Sequence, residues 1–99
     1  MRIYVTHEEI DLLNRATNTW GVNFQEEMVV EECAELITAI RHFNRGKISH
    51  EELITELADV LIVCSQFALN LDMVLVEDEI EQKLERLRKK VRTGNHANA

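Results

Sequence analysis

No proline interrupts the 99 residues, and glycine occurs only three times. Proline ends helices and glycine weakens them, so a chain nearly free of both favours long helices over a turn-rich β-fold. Apolar residues make up 45% of the chain but aromatics only 5%, so burial has to come from Leu, Ile, Val and Ala. The length suits one domain, because two halves would each be too small to hold a core.

The hydrophobic spacing predicts four helices. Thr6-His7-Glu8-Glu9 has the form of a capping box, opening a short helix to about Thr17. Asn18 to Asn23 reads as a connection, with Asn23 as N-cap of a second helix. That helix carries Val29, Cys33, Leu36, Ile37, Ile40 and Phe43 on one face, and Gly46 is a natural stop. Ser49-His50-Glu51-Glu52 is a second capping box, before a third helix with Leu53, Leu57, Val60, Leu61, Cys64, Phe67 and Leu71 on its face. A break near Asn70 to Asp72 precedes a fourth helix from about Met73 to Arg92. Short connections between four helices predict an all-α, antiparallel four-helix bundle. Residues 1–93 would be the single helical domain and 94–99, with His96, a flexible tail. Val30, Ile62 and Val63 lie off the main stripes and form a second apolar face that a partner chain would cover.

Two acidic pairs carry the chemistry. Glu32 and Glu35 are three residues apart, and Glu56 and Asp59 repeat the spacing. On a helix each pair falls on one side, at the same offset from its own apolar stripe. Two such edges can converge and set four carboxylates around one small volume. Left bare, they would repel one another; a hard divalent cation such as Mg²⁺ removes that cost and shares its open positions with substrate phosphates. A merely solvated edge is the alternative. Against it, both pairs border apolar residues and neither has a basic residue at i+4. A ferritin-type iron site would need Glu-x-x-His, and no Cys/His cluster suggests zinc.

These residues resemble a known family. EECAEL at Glu31 to Leu36, followed by ELAD at Glu56 to Asp59, is similar to the E-E-x-x-E…E-x-x-D signature of MazG-type all-α nucleoside triphosphate pyrophosphohydrolases, of the MazG-like and dimeric dUTPase superfamily. The resemblance runs from about Trp20 to Lys90. It implies that Glu32, Glu35, Glu56 and Asp59 are metal ligands, with Mg²⁺ as the cofactor and Mn²⁺ a possible substitute. It also implies cleavage of a nucleoside triphosphate to monophosphate and pyrophosphate, in a homodimer or homotetramer. Glu35 is the candidate general base, with Glu31 beside the cluster as the second catalytic candidate. Lys83 and Arg86, on one face of the fourth helix, are candidate phosphate contacts. Trp20 and Gln25 are candidate base contacts, although a lone Trp in a helix connection also suits a core plug. Leu87 stands where several relatives carry Asn, a departure that bears on nucleotide preference.

Charge and composition narrow the function further. Eighteen acidic residues against 11 basic ones give a net charge of −7, the wrong sign for a protein that neutralises phosphate backbones, so no nucleic-acid partner is expected. The basic residues gather between Ile80 and Arg92. No apolar run is long enough for a membrane span, and MRIYVTHEEI lacks a signal-peptide core. Cys33 and Cys64 read as reduced core thiols, so a cytoplasmic location is expected. Two rival readings are phosphoribosyl-ATP pyrophosphohydrolase and a helical nucleotide-binding or oligomerisation module without turnover.

Overall fold

The Thr6 capping box forms as the sequence anticipates. The Thr6 side chain accepts from the Glu9 N–H at 3.1 Å, while the Glu9 carboxylate accepts from the Thr6 N–H at 2.7 Å. The computed structural model describes residues 6–94, and among them lie four α-helices and no strand: α1 (His7–Trp20), α2 (Val22–Asn44), α3 (His50–Leu71) and α4 (Met73–Thr93). The all-α, four-helix architecture is thus present; of the expected tail, 94–99, Gly94 is described and residues 95–99 lie outside the described residues. No single helix among them is long and apolar enough to cross a membrane.

The first connection is tighter than expected. Helix α1 runs on to Trp20, and Gly21 alone joins it to α2. Its N–H donates to the Thr17 carbonyl at 2.7 Å and its carbonyl accepts from the Gln25 N–H at 3.2 Å, so one residue closes α1 and opens α2. A φ of +90° makes this possible, and only glycine adopts it without strain. Asn23 is therefore not the N-cap; it already lies in the first turn of α2.

The described residues up to Leu71 form one compact unit, and those from Asp72 onward another. In the first, α2 and α3 fold back on each other across residues 45–49 and α1 packs on both. Gly46, at φ +72°, ends α2 close to where it was expected. Ser49 caps α3, its Oγ accepting from the Glu52 N–H at 3.1 Å.

The buried seam of this unit is narrower than the apolar stripes suggest. Among the described residues it consists of Ala39, Val60 and Ala68 with two glutamines, Gln25 and Gln66. Gln66 donates to the Leu13 carbonyl at 2.9 Å and to the Thr17 hydroxyl at 3.0 Å, tying α3 to α1. Of the expected core face, Ile37, Ile40, Leu57, Leu61 and Leu71 are exposed instead. Small side chains sit where helix axes approach closely, and three helices cannot enclose the larger ones on every side. Cys33 and Cys64 are free and half-buried. Burial, with Cys33 alongside, pushes the Cys64 thiol above its ordinary pKa.

The second unit contains α4. Asp72 is its N-cap, accepting from the Leu75 N–H at 3.1 Å, and Gly94 ends it in the left-handed conformation. Lys83, Arg86 and Leu87 stand exposed on this helix.

Candidate active site

The acidic pairs occupy the facing sides of the α2–α3 hairpin. Glu32, Glu35 and Glu56 each bring one carboxylate oxygen within 4.8 Å of the others. Asp59 lies outside that group but acts on it, because its charge helps to raise the Glu32 pKa. Three of the four expected ligands are thus assembled, with the fourth within electrostatic reach.

The cluster stands uncompensated. Desolvation pushes the Glu32 carboxyl above its ordinary pKa; the neighbouring charges of Glu35, Asp59 and Glu56 and a hydrogen bond with Glu35 add to the effect. Glu32 Oε2 and Glu56 Oε2 are buried without a hydrogen-bond partner. A buried carboxylate oxygen without a donor is costly. An all-oxygen donor set holding two such orphaned atoms fits a hard divalent cation, which would supply what the chain's own donors do not.

The cluster borders a cleft of about 430 Å³ within the same unit, large enough for a small organic ligand. Glu35 and Glu56 belong to both cluster and cleft, and Glu31 lines the cleft one turn before Glu35. Thr38, Ala39 and His42 continue the α2 wall, and Glu52 and Ile48 complete the opposite one. Sequence reasoning missed Thr38, His42 and Glu52. The helical period that pairs Glu31 with Glu35 also carries Thr38 and His42 at the next turns, and Glu52 lies one turn before Glu56.

Neither Trp20 nor Gln25 lines the cleft. Trp20 is 60% exposed, with its ring tilted against Phe24 at a centroid distance of 6.1 Å, so it is not a core plug. Gln25 is only 6% exposed. Lys83 and Arg86 belong to the second unit, three residues apart on α4.

Comparison with known proteins bears on this acidic hairpin directly. No curated protein and no solved structure matches the chain. A family profile does: the MazG nucleotide pyrophosphohydrolase domain matches residues 24–92, a span that contains both acidic pairs, the whole cleft and most of α4. The chain therefore belongs to the MazG nucleotide pyrophosphohydrolase family and is a pyrophosphohydrolase enzyme.

Proposed function

We propose that the protein is a Mg²⁺-dependent nucleoside triphosphate pyrophosphohydrolase. It would convert a ribo- or deoxyribonucleoside triphosphate to the monophosphate and pyrophosphate, in nucleotide-pool cleaning. The observation that carries this reading is the pair of orphaned carboxylate oxygens of Glu32 and Glu56 beside an open cleft.

Glu32, Glu35, Glu56 and Asp59 would hold the cation, with Mn²⁺ as a substitute. When bound, it lowers the pKa of water and offsets phosphate charge. Glu35 faces the cleft and is exposed, which suits it to take the proton of the attacking water; Glu31 beside it orients that water. Lys83 and Arg86 are assigned to the charge developing on the leaving pyrophosphate. Both are exposed, and neither has an ion-pair partner among the described residues. The exposed Val30, Ile37, Leu61 and Ile62 support assembly as a homodimer or homotetramer. Residues 1–93 are assigned to one helical domain within it.

The test is incubation with Mg²⁺ and a panel of nucleoside triphosphates, separating pyrophosphate from orthophosphate. Monophosphate with pyrophosphate is the expected result. Orthophosphate alone overturns the reaction, and turnover of phosphoribosyl-ATP with none of the panel overturns the substrate class.

A further inference from the structure

The cleft extends beyond the acidic signature. From Glu35 and Glu56 it continues along α2 to His42 and across to Ile48, just before α3. Seven residues of helix separate Glu35 from His42, a rise of about 10 Å. That is comparable to the span from an α-phosphate across the sugar to the far edge of a nucleobase.

The walls change character along this length. Near the carboxylates they suit phosphates carried on a cation. Further on, buried Ala39 gives a small floor and Ile48 an apolar side. The Thr38 hydroxyl donates to the Ala34 carbonyl at 3.2 Å, which leaves its lone pairs for an incoming donor. The half-buried His42 ring has no hydrogen-bond or ion-pair partner among the described residues. Glu52 is held in place by the Ser49 hydroxyl, which donates to its Oε1 at 3.3 Å. A small floor, an apolar side and polar edges with spare hydrogen-bonding capacity suit a flat heteroaromatic ring. A bare phosphate beside Glu52 would be repelled.

We infer that the His42 end of the cleft binds the nucleoside half of the substrate. His42 and Glu52 read the polar edge of the base, and Ile48 packs on its face. The inference rests on the pyrophosphohydrolase reading and sets the base contacts at His42, whereas Gln25 lies on α2 on the other side of the acidic cluster.

The test is calorimetry in Mg²⁺ on wild type, His42→Ala and Ile48→Ala, with circular dichroism to verify folding. The probes are α,β-imido nucleoside triphosphates of different bases and, lacking any base, inorganic tripolyphosphate. Both variants should lose about tenfold in nucleotide affinity, the size of one lost contact. They should also compress the ranking of bases and keep tripolyphosphate affinity. Unchanged nucleotide binding in both variants, or equal losses for nucleotide and tripolyphosphate, overturns the inference. Wild type that binds no nucleotide overturns it as well. Nucleotide binding that depends on His42 without pyrophosphate release from hydrolysable nucleotides would overturn the reaction and leave the subsite standing.

Discussion

Glu32 bears a cost that folding imposes and a cation relieves. Its carboxyl is raised in the folded chain by burial first and by its acidic neighbours second, so between the unfolded and folded pKa values the folded state holds more protons. Stability of the metal-free protein should then fall as pH rises through the region above the ordinary carboxylate value. Urea unfolding at several pH values checks this, and millimolar Mg²⁺ should flatten the slope. For the same reason Glu32→Gln should raise the metal-free melting temperature by roughly a few degrees while abolishing pyrophosphate release. Retained turnover in that variant removes the assigned site. The convergence of Glu32, Glu35 and Glu56 was legible in the sequence, because helical periodicity places a carboxylate once its apolar stripe is known. Thr38 and His42 obey the same periodicity, but nothing in their residue types marks them until the opposite wall is seen. The burial of Gln25 and Gln66 was not legible, since local pattern assigns glutamine to the surface.

Helix ends divide in the same way. The boxes at Thr6 and Ser49 could be read because the cap and its partner lie three residues apart. Ser49→Ala should cost about 1 kcal/mol in chemical denaturation. The one-residue junction at Gly21 could not be read, because Asn18 and Asn23 carry stronger turn and cap signals than a lone glycine does. Its cause is conformational: φ +90° lets a single residue finish one helix and start the next. A methyl group there would meet open space, with nothing within 4 Å, so any loss in Gly21→Ala reports backbone strain alone. That loss should be about 1 kcal/mol or more, measured as a shift in the urea midpoint at unchanged slope.

On the scale of the whole molecule, several of the large side chains expected to form a core remain uncovered. Ile37 is 60% exposed and Leu61 48%, although both fall on stripes that periodicity assigns to an interior. Periodicity reports that a face is buried, not whose surface buries it. If a second copy does so, sedimentation of wild type will exceed the monomer mass and the melting temperature will rise with protein concentration. Ile37→Lys should return the protein to monomer and remove the concentration dependence. The hairpin has a different consequence at this scale. Glu35 and Glu56 lie well inside their helices, whereas Ile48 belongs to the connection between them. Residues 45–49 could thus be lengthened or exchanged without moving the carboxylates, since helix packing keeps the register of α2 against α3. The apolar packing on the base and the bond cleavage would then be free to evolve separately, one written in a loop and the other in paired helix faces.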